Sequence, residues 1–140
     1  MYSKFCFPIV LMEKLAYIMQ VNASTRMKTI PQMSGFWIMD RYEAELRVLR
    51  LSNIQLTISR VCIGKQRQGA MTEIFLELLK FCKEESIEKI VIQSVLTLPM
   101  AKWCEDHGFQ AVFKSHHIED NTGHKYYIST DYVLRLDDSI

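Results

Sequence analysis

The stretch best equipped for chemistry is Leu56 to Met71, LTISRVCIGKQRQGAM. An alternating run ends at Ile63, a polar turn of Gly64, Lys65, Gln66, Arg67 and Gln68 follows, and Gly69 opens a helix. The first-turn amides of a helix have no partners inside it and carry partial positive charge. A pyrophosphate fits such a place without special side chains. Gly69 lets a ligand approach the backbone closely, and Lys65 and Arg67 add long-range attraction. The competing reading is an ordinary strand-to-helix turn with solvated basic residues.

Other residues offer less. Arg60 inside a strand implies either contact with an acidic group of a ligand or a solvent-facing position. His116, His117 and His124 suggest zinc, but a zinc site takes a fixed tetrahedral set that usually includes Cys or carboxylate. Their polar loop has no such spacing, so they read as solvated histidines. Tyr126, Tyr127 and Tyr132 could stack on bases, although alternating aromatics in a long strand more often form cross-strand pairs. Arg41, Arg47, Arg50, Arg60, Lys65 and Arg67 make the middle third basic, interrupted by Glu43 and Glu45. No Ser-His-Asp constellation and no Walker loop is visible.

The elements that must position these residues follow from periodicity. A short strand is predicted over 2–7, with a helix from Pro8 to about Asn22 carrying Ile9, Met12, Leu15 and Met19. Residues 26–35 read as loop, with room for a short helix. Three strands follow, over 36–39, 46–51 and 54–63, as an antiparallel meander. In the last, Leu56, Ile58, Arg60 and Cys62 alternate with Thr57, Ser59, Val61 and Ile63. Met71, Ile74, Phe75, Leu78, Leu79 and Cys82 form one stripe of the next helix. The strand over 87–93 then implies a right-handed crossover and parallel or mixed pairing. A short helix over 100–107 is closed by Gly108. A strand over 109–114, a polar loop over 115–125 and a long strand over 126–136 complete the order, the two strands pairing as a long hairpin.

The whole chain has 140 residues, 49% of them hydrophobic and 24% charged, with 5 Gly and 3 Pro, which describes one globular α/β domain over 1–140 rather than a turn-rich β protein. A net charge of +1 gives no whole-chain reason to expect nucleic acid or a membrane surface. No apolar run approaches the ~20 residues of a membrane span. Cys6, Cys62, Cys82 and Cys104 are too far apart for a metal knuckle or a redox pair, which points to no bound metal and to a reducing, cytoplasmic setting.

Three blocks taken together resemble the GNAT superfamily of N-acyltransferases. VCIGKQRQGAMTEIFLELLKFCKE is similar to the family's fourth strand, pyrophosphate loop and third helix, with Gln66, Gly69 and Met71 at the loop's landmark positions. SIEKIVIQSV resembles its fifth strand, and MAKWCEDHGFQAV its last helix with the closing Gly-Phe, here Gly108 and Phe109. The resemblance covers 56–113 and implies a mixed, mostly antiparallel sheet of six to seven strands, splayed between the fourth and fifth strands and flanked by three to four helices. It further implies that acetyl-CoA lies in that splay. Backbone groups of Val61, Cys62 and Ile63 would hold the pantetheine and thioester, with Thr97 near it. Amides of Gln66, Arg67, Gln68, Gly69, Ala70, Met71 and Thr72 would hold the pyrophosphate. An amine acceptor of unknown class, small molecule or protein, would attack from the opposite side.

The chain departs from the family pattern at three positions. Met71 replaces a small residue, and its side chain either crowds the pyrophosphate or joins the apolar stripe. Thr97 stands where Asn is frequent. Cys104 occupies the position of the family's Tyr general acid; it either protonates the leaving thiolate or packs as a small apolar side chain. No carboxylate lies on the fourth strand to act as base. Two functions are therefore expected to compete: an acetyl-CoA-dependent N-acetyltransferase, and a catalytically impaired GNAT-fold protein that binds a protein or nucleic-acid partner. The long C-terminal strand offers a surface for a homodimer.

Overall fold

A computed structural model describes residues 7–63 and 68–136. The order of elements is α1 (Ile9–Ala23), β1 (Lys28–Gln32), β2 (Gly35–Met39), β3 (Glu45–Leu51), β4 (Gln55–Cys62), α2 (Gln68–Glu84), β5 (Lys89–Val95), α3 (Leu98–Asp106), β6 (Gln110–Ala111), β7 (His116–Glu119), β8 (Lys125–Ile128) and β9 (Thr130–Arg135). Seven strands form one sheet in the order β1-β2-β3-β4-β5-β9-β6, and β7 and β8 form a separate hairpin. Among the described strands only β4 and β5 pair in parallel, and the helix between them, α2, supplies the crossover such a pair requires.

Alternation decides which face of the sheet the helices cover. Leu46, Val48, Leu56 and Ile58 are fully buried, while Glu45, Arg47 and Leu49 on the other face are only partly so. From the helices, Leu15, Met19, Ile74 and Leu78 complete the core. Each buried side chain of this size contributes roughly 1.5–3 kcal/mol relative to exposure. Lys14 and Glu77, 3.5 Å apart, link α1 to α2, and the rings of Phe75 and Trp103 meet edge-on at 5.4 Å to join α2 to α3. Gly35 has no room for a side chain, because a Cβ there would stand 1.9 Å from the Val48 carbonyl oxygen.

Arg50 does not belong to the basic surface suggested by the sequence. Its side chain is 2% exposed and forms an ion pair with Glu85 at 3.1 Å. It also donates to the Ser52 carbonyl and to Asn53 Oδ1, both at 2.8 Å. The guanidinium lies 5.5 Å from the Phe81 ring. It thereby pins the β3–β4 turn to the end of α2.

Several expected boundaries differ. The predicted strand over 2–7 lies outside the described residues except for Phe7, which packs on Phe36 and Phe81. The expected loop over 26–35 contains β1 and starts β2. Polar residues disguised this edge strand, and Pro31 is tolerated because an edge leaves one side of the backbone unpaired. The long strand over 126–136 is broken at Ser129, whose φ is +59°. Its first part turns back onto β7 within what looked like a polar loop, and only Gln110–Ala111 pairs with β9.

Candidate functional site

Strand β4 stays paired with β3 from Gln55 to Cys62. With β5 it pairs at three positions only, Leu56 with Ile90, Thr57 with Val91 and Ile58 with Ile92. Past these the two strands part. Both are irregular at the point of parting. On β4, Val48 pairs with Ile58 but Arg47 pairs with Arg60, so Ser59 is an extra residue, a bulge. On β5 the register against β9 shifts between Ile92 and Val95. Ser94 there has φ of +54°, and its amide donates to Asp131 Oδ1 at 2.9 Å. Bulges bend a strand and increase its local twist, and two of them facing each other open the sheet.

The bulge also exchanges the faces of β4. A one-residue slip sends every later side chain to the other side. Arg60 and Cys62, expected in phase with Leu56 and Ile58, are therefore exposed, whereas Val61 and Ile63 are half-buried.

The parting leaves a cleft of about 410 Å³. Val61, Cys62, Ile63, Met71 and Thr97 all line it, bringing together residues from β4, α2 and the start of α3. The Met71 side chain is 5% exposed and belongs to the core, as part of the apolar stripe, while also lining the cleft. Ala70 is buried beside it and Gly69 is exposed. A Cβ at Gly69 would meet nothing within 4 Å. Thr97 caps α3, its hydroxyl accepting from the Met100 amide at 3.3 Å. Gln66 and Arg67 lie outside the described residues, and Gln68 begins α2.

Two walls of the cleft are tied together by a bond the sequence did not suggest. Trp103 Nε1 on α3 donates to Thr72 Oγ1 in the first turn of α2 at 3.1 Å. The Trp103 ring stacks on His107 with centroids 4.0 Å apart. By contrast, Cys104 is fully buried and does not line the cleft. Desolvation, with a smaller contribution from the charge of Glu105, pushes its thiol up to about 12.

Sequence reasoning noted Glu45 and Arg60 without assigning them a place. Both line the cleft. Glu45 pairs across the ladder with Cys62. Its Oε1 accepts from Trp37 Nε1 at 2.9 Å and its Oε2 from Arg60 Nε at 3.1 Å. Arg47, the ladder partner of both Trp37 and Arg60, is bonded to Gln32 at 3.2 Å with its guanidinium 5.5 Å from the Trp37 ring. The Arg60 side chain is 62% exposed. Pairs this exposed contribute ~0–1 kcal/mol to stability, so folding gains little from them.

The histidines lie elsewhere. His116 and His117 are on β7, and His124 meets Glu105 at 2.9 Å, fastening the β7–β8 hairpin to α3. No group of three or more metal-ligating side chains occurs among the described residues. No described helix is long and apolar enough to cross a membrane.

A mixed sheet whose single parallel pair splays beside a helix start is the arrangement of GNAT acetyltransferases, and solved structures match it. A GNAT family acetyltransferase from Elizabethkingia anophelis, solved with acetyl-CoA bound, aligns over 74% of this chain and 77% of its own, with 15% identity and a TM-score of 0.51. The ribosomal-protein-S18-alanine N-acetyltransferase from Escherichia coli aligns over 93% and 90%, with 11% identity and a TM-score of 0.51. A GNAT family acetyltransferase from Staphylococcus aureus aligns over 94% and 96%, with 11% identity and a TM-score of 0.50. No family model and no curated protein matches the sequence. The chain has the GNAT fold.

Proposed function

We propose that the cleft binds acetyl-CoA and that the protein transfers its acetyl group directly to an amine. The observation that carries this reading is the parting of β4 from β5 after three pairs, with α2 starting just beyond. Among the described residues, parting leaves the backbone at Val61, Cys62 and Ile63 without a strand partner on the β5 side. An extended pantetheine can take those bonds, as an added strand does. The pyrophosphate would rest on amides from Gln66 to Thr72, where Gly69 leaves open space.

In the reaction the amine nitrogen bonds the acetyl carbon while the carbon–sulfur bond breaks. The sulfur leaves as thiolate and ends as the free thiol of CoA. Rate enhancement comes from holding amine and thioester together and from polarising the thioester carbonyl. Cys104 takes no part: it does not line the cleft, and a buried thiol at about 12 is a weaker acid than an ordinary thiol at 9.0. Water relays to the sulfur the proton that the attacking nitrogen loses, so no side chain need donate it. We assign the reaction to the cytoplasm.

Acetyl-CoA at 100 times its Kd is expected to stabilise the fold by ~2.7 kcal/mol, read as a rise in Tm. An unmoved Tm would remove the cofactor assignment. The burial of Cys104 favours a second reading, a GNAT-fold binding protein without turnover. Acetyl-CoA binding with no thiol release from any amine would select it.

A further inference from the structure

The charges in the cleft identify the chemical class of the acceptor, an inference that rests on the acyl-transfer reading above. Among the described lining residues only Glu45 and Arg60 are charged. Glu45 is held at both oxygens, by Trp37 Nε1 and by Arg60 Nε. Each oxygen retains a second lone pair, the capacity of an ionised carboxylate being about four acceptor sites. Arg60 uses only its Nε here; its two terminal nitrogens bond no described residue. The nearby cation Arg47 is already engaged by Gln32 and Trp37.

This geometry discriminates between acceptors. A polyamine or a lysine-rich segment would find one carboxylate, already neutralised, and be repelled by Arg60. A phosphorylated or dicarboxylic amine would have its extra charge set against Glu45. A group with one positive and one negative charge close together satisfies both residues at once. The ammonium and carboxylate of an α-amino acid stand on the same carbon, a spacing suited to a carboxylate and a guanidinium in direct contact. The planar guanidinium also binds a carboxylate through two parallel bonds, which a lone ammonium cannot do.

We propose that the acceptor is a free α-amino acid, its carboxylate on the terminal nitrogens of Arg60 and its amino group on Glu45 beside the thioester. The ammonium gives up two protons in the overall reaction. One is released to solvent and the other ends on the CoA sulfur, as the N–C bond forms and the C–S bond breaks.

The test compares CoA thiol release from acetyl-CoA with four acceptors: an equimolar pool of the proteinogenic amino acids, the matching pool of amino-acid amides, spermidine, and a short lysine-containing peptide. The wild-type protein should prefer the amino-acid pool over the amides by about tenfold or more, since a site built for a polar group discriminates strongly against its absence. Arg60→Gln, at an exposed position that should fold normally, should raise the KM for the acid pool and reduce that preference towards one. Equal or faster turnover of amides, spermidine or peptide would overturn the proposal, as would an undiminished preference in Arg60→Gln. Calorimetric titration of acetyl-CoA separates the two levels. Acetyl-CoA binding with turnover of the wrong acceptor sinks this proposal and spares the acyl-transfer reading; absence of acetyl-CoA binding sinks both.

Discussion

Strand β4 has two seams, and they behave in opposite ways. Towards β3 it is laddered over its full length, and the far end of that hairpin is locked by buried Arg50. Towards β5 it is laddered for three residues and then open. The same strand is therefore scaffold on one side and an open edge on the other, the edge to which we assign acetyl-CoA. A cleft built this way exposes backbone groups whose positions are set by strong pairing one strand away, the rigid support a binding site needs.

Breaking the closed seam should have the largest effect. Arg50→Ala leaves the Ser52 carbonyl and Asn53 without their donor and removes packing from Phe81. A loss of about 3 kcal/mol is expected, between the cost of an unmet buried hydrogen bond and that of a broken buried pair. Chemical denaturation checks it, and acetyl-CoA affinity of the folded fraction should not change.

Loosening the open seam should cost less in stability and more in function. Asp131→Ala removes the acceptor for the Ser94 amide that shapes the β5 bulge. About 1–2 kcal/mol and a weaker affinity for acetyl-CoA are expected. Asp131→Asn keeps an acceptor oxygen and should restore both; failure of that rescue would deny the bond its positioning role.

Cys104 is buried in the core and does not line the cleft, so its removal should be felt in packing alone. Cys104→Ala should lower stability by ~1 kcal/mol and change turnover by no more than about twofold. Alkaline titration gives an independent check. Burial raises the Cys104 and Cys82 thiols from 9.0 to about 12, so the unfolded chain loses those protons first. Stability should be intact below pH 9 and fall between pH 9 and 12. Site-resolved alkylation is the mildest probe: exposed Cys62 should react in the native protein, while Cys82 and Cys104 should wait for unfolding.

The sequence revealed the parts whose pattern is local. The α2 stripe, the β5 run and Gly108 at the end of α3, with φ of +88°, were legible because periodicity and capping are properties of neighbouring residues. The bulge at Ser59 was not, because it exists only in relation to β3. A plain hairpin from Leu51 and Gln55 would set Glu45 opposite Val61; the extra residue sets it opposite Cys62 and turns Arg60 towards the cleft. The charged pair was thus present in the sequence as two residues without a meeting point. Cys104 was ambiguous for a related reason: its motif gave a position along α3 but not its burial in the core.

The central claim is that the open seam holds acetyl-CoA with its pyrophosphate at the start of α2. Calorimetric titration of acetyl-CoA into the wild-type protein and into Gly69→Leu tests it most directly. A Cβ at Gly69 meets no described atom within 4 Å apart from its chain neighbours and its own helix backbone, so the variant should remain folded. One-to-one binding to the wild type and no measurable binding to the folded variant are expected. Equal affinity in the two proteins, or no binding to the wild type, would contradict the claim.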